Sequence, residues 1–123
     1  MATAYFSLGS NLGDRSAHLR CGVEHTAAGE PHRLSAVYET DPWGGVEQEN
    51  FWNIVLEVIT SATPHELLSR IRRAEEAAGR VRDVRWGPRT LDVDLLLYDD
   101  WTSGDPELTV PHPRMGERAF VLV

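Results

Sequence analysis

Arg85-Trp86-Gly87-Pro88-Arg89-Thr90-Leu91-Asp92-Val93-Asp94-Leu95-Leu96-Leu97-Tyr98 is the stretch around which the rest of the chain is organised. Its second half has the two-residue period of a strand. Leu91, Val93, Leu95 and Leu97 are expected to point one way, and Asp92, Asp94 and Leu96 the other. Two acids inside an otherwise apolar strand are costly unless something compensates them. Side chains two apart on a strand share a face, roughly 6–7 Å apart at the backbone. Carboxylates so placed can converge on a hard, oxygen-seeking cation such as Mg²⁺. Arg85 and Arg89 suit phosphate oxygens. Metal ligands beside phosphate ligands point to nucleotide chemistry. The plainer alternative is an edge strand whose acids face water, and the Arg-Trp-Gly-Pro-Arg lead-in weighs against it.

The arginines reinforce that reading. The chain has no lysine, and seven of its twelve basic residues lie between Arg70 and Arg89. Arg70, Arg72 and Arg73 fit a solvated helix end. Arg80, Arg82, Arg85 and Arg89 continue past the helix stop and are less easily explained that way. The net charge of −7 disfavours non-specific nucleic-acid binding, so this segment suggests a local anion site on an acidic protein. With 123 residues, 41% of them hydrophobic, the chain can build one domain with a real core. Its apolar runs are too short to span a bilayer, and no charged and then apolar leader opens it. Cys21 is the single cysteine and cannot form an internal disulfide, which agrees with a cytoplasmic setting. Its simplest role is that of a small apolar residue on a helix.

Residues 4–8 predict a first strand, with Ala4, Phe6 and Leu8 on one face. Gly9-Ser10-Asn11-Leu12-Gly13-Asp14 follows as a strand-to-helix turn without the spacing of a Walker or dinucleotide loop. Asp14 can cap the next helix, whose apolar positions Leu12, Leu19, Val23 and Ala27 carry it to about Ala28. A second strand is expected over residues 34–40. The Pro- and Gly-rich loop after it carries Trp43, which either latches onto a ligand or packs back on the domain. Residues 51–59 predict a strand with Phe51, Asn53, Val55 and Glu57 on one face and Trp52, Ile54, Leu56 and Val58 on the more apolar other. Asn53 can read a heterocycle edge with Phe51 beside it for stacking, or simply pair with neighbouring backbone.

Thr63-Pro64-His65-Glu66 has the form of a capping box with proline at the first helical position. Leu67, Ile71, Ala74 and Ala78 form the buried stripe, and Gly79 stops the helix. Glu75, one turn before the stop, is expected to pair with Arg72 or Arg82 unless it has a functional role. The Asp92/Asp94 strand comes next, then a turn at Asp99-Asp100-Trp101. Short strands are expected over residues 107–110 and from Ala119. The order βαββαβ predicts an α+β, ferredoxin-like antiparallel sheet with both helices on one face.

Taken together, the segments resemble those of the hydroxymethyldihydropterin pyrophosphokinase family of folate biosynthesis. The resemblance rests on Gly9-Ser10-Asn11-Leu12-Gly13, Tyr38-Glu39-Thr40-Asp41-Pro42, Asn53, Gly79-Arg80-Val81-Arg82, the Arg85–Asp94 segment, Val110-Pro111-His112-Pro113 and Arg118-Ala119-Phe120, in that order. It runs the length of the chain, and the Arg85–Asp94 segment is its most specific part. It implies transfer of the terminal pyrophosphate of ATP to the hydroxymethyl group of a reduced pterin, with release of AMP. Asp92 and Asp94 would hold two Mg²⁺ ions, and Arg80 and Arg82 would stabilise the transferring group. Arg89 and His112 would contact phosphates, and Arg118, Leu95 and Glu75 would line the nucleotide site. For the pterin, Asn53 would read the ring edge with backbone around Thr40, Pro42 and Trp43. Phe51 and Phe120 would sandwich the ring and Trp86 would close over it. The family often has Tyr where this chain has Phe51, which keeps the stacking and loses a hydroxyl. Family members usually continue beyond Val123, so residues 1–123 are expected to form a single pyrophosphokinase domain without the usual C-terminal extension. A monomer acting on ATP and the pterin, with no nucleic-acid or membrane partner, completes the expectation.

A catalytically silent pterin- or nucleotide-binding homologue is the main alternative. Binding a pterin requires no carboxylate pair, so the presence of Asp92 and Asp94 together with the arginines argues against it. A ferredoxin-like RNA-binding module would need exposed aromatics on the central strands and a basic face. Phe6 and Phe51 are poor candidates, and the charge has the wrong sign.

Overall fold

The computed structural model describes residues 1–11, 13–40, 50–79, 91–99, 101–105 and 108–110. The elements run β1 (Ala2–Ser10), α1 (Arg15–Ala27), β2 (His32–Leu34), β3 (Tyr38–Thr40), β4 (Phe51–Thr60), α2 (Pro64–Ala77), β5 (Asp92–Tyr98), β6 (Ser103–Asp105) and β7 (Leu108–Val110). β2, β4, β1 and β5 lie side by side in that order, β3 also pairs with β4, and all the pairings are antiparallel. Both helices contribute to the core on one face, which gives the α+β, ferredoxin-like arrangement expected from the sequence.

The helix ends follow the local chemistry. The Asp14 carboxylate accepts from Ala17 N at 3.0 Å and starts α1. In α2, Thr63 Oγ1 accepts from Glu66 N while Glu66 accepts from Thr63 N, the reciprocal box predicted from the sequence. Leu67, Ile71 and Ala74 are buried against the sheet, and Ala78 is partly buried beside them. From the sheet come Phe6, Leu8, Leu56 and Val58, all without exposed surface, joined by Leu91, Val93 and Leu95. Removing each of the larger of these side chains from water contributes about 1.5–3 kcal/mol.

Three expectations are corrected. The strand foreseen over residues 34–40 is two strands, β2 and β3, both on the same edge of β4. Leu34 opposes Leu56 but Tyr38 opposes Asn53, so one extra residue is accommodated between them. Ser35 interrupts the ladder there: its Oγ accepts from Val55 N at 2.8 Å and donates to Ala36 O at 2.8 Å. Second, β5 does not alternate to its end. Phe6 opposes Leu95 and Tyr5 opposes Leu97, so Leu96 is the extra residue of a β-bulge. Leu95 and Leu96 are therefore both buried, and Leu97 turns to the face of Tyr5 and is only half-buried. The bulge also brings Tyr98 opposite Ala4, and its hydroxyl donates to Ala62 O at 2.7 Å at the start of α2. Third, β1 continues through Gly9 and Ser10, and the turn comes at Gly13, whose φ of +69° suits glycine. The strand expected near residues 107–110 is β7, and its partner β6 was not foreseen because Ser-Gly-Asp has no apolar alternation. The strand expected from Ala119 lies outside the described residues.

Glu30 ties three elements together. It accepts from Thr60 Oγ1 at 2.6 Å, Ser61 N at 3.1 Å and Arg70 Nη1 at 2.6 Å. Burial pushes its carboxyl pKa up, but the hydrogen bonds from Thr60, Arg70 and Ser61 outweigh that and hold it below the ordinary value. A carboxyl depressed by folding stabilises above its unfolded pKa, near about 4.3, and loses that contribution as pH falls through the folded value. Glu30→Gln is therefore expected to lower the melting temperature at pH 7 and to make its decline on acidification shallower. Thermal melts of both proteins between about pH 7 and pH 3 check this. Parallel curves would show that Glu30 carries no such linkage.

Candidate active site

The face of the sheet away from the helices carries the chemistry. Tyr5, Ser7 and Gly9 of β1 point there, flanked by Asn53, Val55 and Glu57 of β4 and by Asp92 and Asp94 of β5. Asn53, Gly9 and Asp92 form one row across three strands, and Val55, Ser7 and Asp94 the next. Asp92 and Asp94 are half-buried and side by side on this face, as the alternation predicted. Two carboxylates are hard oxygen donors, and Mg²⁺ characteristically takes one or two of them and completes its shell with water and substrate phosphates. Among the described residues no three His, Cys, Asp or Glu side chains gather as a metal cage. A pair of carboxylates suits a cation shared with a phosphate-bearing substrate.

Asn53 is buried although it belongs to the open face, and its Nδ2 donates to Tyr38 O at 3.3 Å. The backbone pairing weighed as its simpler role is thus present, and it also fixes the amide in place. Phe51 lies two residues along β4 on the same face, half-buried, with its backbone opposite that of Thr40. Glycine in a strand interior often marks a close approach, and Gly9 does so here. A Cβ at Gly9 would stand 2.8 Å from Asn53 Oδ1 and 3.5 Å from Phe51 Cδ1. Gly9 is the floor beneath both side chains, a role that a reading of Gly9-Ser10-Asn11 as a turn missed.

Arg15, also missed, braces the same end of the sheet. Its Nη1 donates to Asn50 O at 2.9 Å, and its guanidinium lies 4.3 Å from the Trp52 ring centroid. It thereby ties the start of α1 to the start of β4. At the other end, Glu57 accepts from the Tyr5 hydroxyl at 2.7 Å and from Arg33 Nε at 3.0 Å. Those bonds lower the Glu57 pKa, the Tyr5 bond most, and the bond to Glu57 raises that of Tyr5.

Glu75 has a partner that the sequence did not suggest. It is buried in the α2 stripe, 5% exposed, and its Oε2 accepts from Val93 N at 3.1 Å. That partner is a backbone amide between the two aspartates; Arg82, one of the two partners expected for Glu75, lies outside the described residues. The Leu95 side chain is in the core, 4% exposed, which leaves only its backbone for the nucleotide contact expected of it. Arg80, Arg82, Trp86, Arg89, Pro42, Trp43, His112, Arg118 and Phe120 lie outside the described residues, as does the side chain of Thr40. No helix among the described residues is long and apolar enough to cross a membrane.

Comparison with known proteins shows the family. The sequence profile of the 7,8-dihydro-6-hydroxymethylpterin-pyrophosphokinase family matches residues 5–123. The 2-amino-4-hydroxy-6-hydroxymethyldihydropteridine pyrophosphokinase of Bacillus subtilis (strain 168) is 48% identical over 122 residues, covering 97% of this chain and 73% of the relative. The protein of the same name from Methylorubrum extorquens is 47% identical over 126 residues, covering 100% and 80%. That of Aquifex aeolicus (strain VF5) is 43% identical over 121 residues, covering 98% and 76%. Profile and relatives span the strands that carry Asn53, Asp92 and Asp94, and the chain belongs to the 7,8-dihydro-6-hydroxymethylpterin pyrophosphokinase family.

Proposed function

We propose that the chain transfers the terminal pyrophosphate of ATP to the hydroxymethyl oxygen of 6-hydroxymethyl-7,8-dihydropterin, yielding the pterin diphosphate and AMP for folate biosynthesis. The observation that carries this reading is the row Asn53–Gly9–Asp92. It puts an amide suited to a ring edge and a carboxylate suited to a hard cation two strand spacings apart, roughly 10 Å. A bicyclic ring with a one-carbon arm can bridge that gap, its ring edge at Asn53 and its hydroxyl at the carboxylates.

Phosphoryl transfer asks a protein mainly for positioning and charge neutralisation. Two Mg²⁺ ions held by Asp92 and Asp94 would neutralise phosphate charge between the two substrates. Asn53 reads the pterin edge through its amide, with backbone around Thr40, Pro42 and Trp43. Phe51 and Phe120 stack on the two faces of the ring and Trp86 covers it. Arg80 and Arg82 stabilise charge on the transferring group, and Arg89 and His112 bind phosphate oxygens. Arg118 and backbone at Leu95 line the nucleotide site, with Glu75 beside them. The reading needs neither nucleic acid nor a membrane, one chain supplies every residue named, and a cytoplasmic setting supplies both substrates.

The test is AMP release from ATP by the 123-residue chain, with and without the pterin and Mg²⁺. AMP is expected only when both are present. A folded chain that binds the pterin tightly and releases no AMP would overturn the reading in favour of a silent homologue.

A further inference from the structure

Among the described residues β5 is the last strand of the five-stranded sheet, with β1 on one side of it. An edge strand presents amides that need partners from elsewhere. At Val93 the partner is Glu75, whose Oε2 accepts the amide hydrogen at 3.1 Å. Glu75 sits in the same α2 stripe as Leu67, Ile71 and Ala74, where an apolar residue would serve packing better. A buried carboxylate in such a stripe is costly unless it is well bound. What it binds is the peptide unit joining Asp92 to Val93, directly between the two aspartates. Their backbones are pinned on the other side by Gly9 and Ser7 of β1. β5 is thus held at this point from both edges, by a strand on one and a carboxylate on the other. The bulge at Leu96, three residues beyond Val93, makes such a hold valuable, because bulges bend and twist the strand that carries them.

We infer that Glu75 is a positioning residue: by accepting the Val93 amide it fixes the spacing and tilt of Asp92 and Asp94, and so tunes the affinity of the carboxylate pair for Mg²⁺. The inference rests on the proposed metal role of that pair. It assigns Glu75 an action through β5 and not through contact with the nucleotide. The bond needs only an oxygen acceptor, and glutamine supplies one with the same reach. A residue that worked as a ligand by its charge would not tolerate that exchange.

The experiment compares wild type with Glu75→Gln, Glu75→Ala and Asp94→Ala. Two readouts besides activity are taken: hydrogen exchange at the Val93 amide, and Mg²⁺ titration of binding of an ATP analogue with a methylene bridge between the α and β phosphorus atoms. Partners that orient metal ligands typically change metal affinity about tenfold or more when removed. Glu75→Ala is therefore expected to speed exchange at Val93 and to shift the Mg²⁺ midpoint by about tenfold, with pterin affinity unchanged. Glu75→Gln is expected to keep both readouts near wild type.

Glu75→Gln shifting the midpoint as far as Glu75→Ala would overturn the inference in favour of a direct charge role. So would Glu75→Ala losing Val93 protection with an unchanged midpoint, since the bond would then serve stability alone. If Glu75→Ala does not fold, Glu75→Gln decides: a protected amide with a normal midpoint supports the inference, and a protected amide with a shifted one sinks it. The Asp94→Ala control separates the two layers. A normal midpoint in Asp94→Ala refutes the metal role of the pair itself, whereas a normal midpoint in Glu75→Ala alone refutes only the part given to Glu75.

Discussion

Asp92→Ala and Asp94→Ala are each expected to abolish AMP release at ordinary Mg²⁺ concentrations while leaving the fold intact. Both residues are half-buried on the open face of β5, away from the apolar cluster that holds sheet and helices together. Their loss therefore opens no large cavity. Their functional weight is electrostatic. A cation that neutralises phosphate charge supplies several kcal/mol of transition-state stabilisation. At about 1.36 kcal/mol per factor of ten, losing it costs roughly 10³-fold or more in rate. Asparagine at either position is expected to behave like alanine, because it keeps the shape and loses the charge that a hard cation needs. Steady-state AMP release, with melting temperatures as the control for folding, checks this. Rates near wild type in either variant would refute the assignment of the pair to the metal.

The same pair shows how far the sequence could be read. Alternation over Leu91–Leu95 placed both aspartates on one face correctly because period-two patterning has only one solution while register holds. It failed at Leu97, since a single-residue bulge reverses the parity and leaves no mark in a run of three leucines. The capping box of α2 was legible because its chemistry is local, confined to Thr63 and Glu66. The split of residues 34–40 into two strands was not, because it depends on Ser35 meeting Val55, twenty residues away. Glu75 and Gly9 belong to the same class. A carboxylate in an apolar stripe and a glycine at a strand end both look like local features. Their partners, Val93 N and the Asn53 amide, come from other elements and are seen only once the chain is folded. The prospect of nucleotide chemistry was legible earlier than the fold details, since the Arg-Trp-Gly-Pro-Arg-Thr-Leu-Asp-Val-Asp run sets phosphate and metal ligands in adjacent residues, and the enzyme class followed from the resemblance of that run and its companions to a known family.

Gly9→Val is expected to uncouple pterin recognition from nucleotide binding. The position lies in a central strand, where a β-branched side chain is favoured over glycine, so strand formation itself gains. The cost falls on what stands above the backbone. A Cβ alone would come within 2.8 Å of Asn53 Oδ1, and the amide cannot swing aside freely, because its Nδ2 is held by Tyr38 O. Valine's two methyls must also pass Phe51, whose Cδ1 would lie 3.5 Å from the new Cβ. If Asn53 reads the ring edge as proposed, moving it removes that donor and acceptor, and each buried hydrogen bond left unmade costs about 1–3 kcal/mol. Together with a displaced stacking partner, this amounts to roughly a hundredfold loss of pterin affinity at about 1.4 kcal/mol per factor of ten. ATP-analogue affinity in Mg²⁺ should fall far less: Asp92 stands opposite Gly9, but the three atoms nearest the new Cβ belong to Asn53 and Phe51, and Asp94 lies one row further along β5, opposite Ser7. Calorimetric titration with each ligand separates the two effects, and the melting temperature reports on the strand. Unchanged pterin affinity would mean that the open face at Gly9 is not where the ring lies. A parallel loss of both ligands would mean that the substitution had disturbed β1 itself, and the floor role of Gly9 would fall with it.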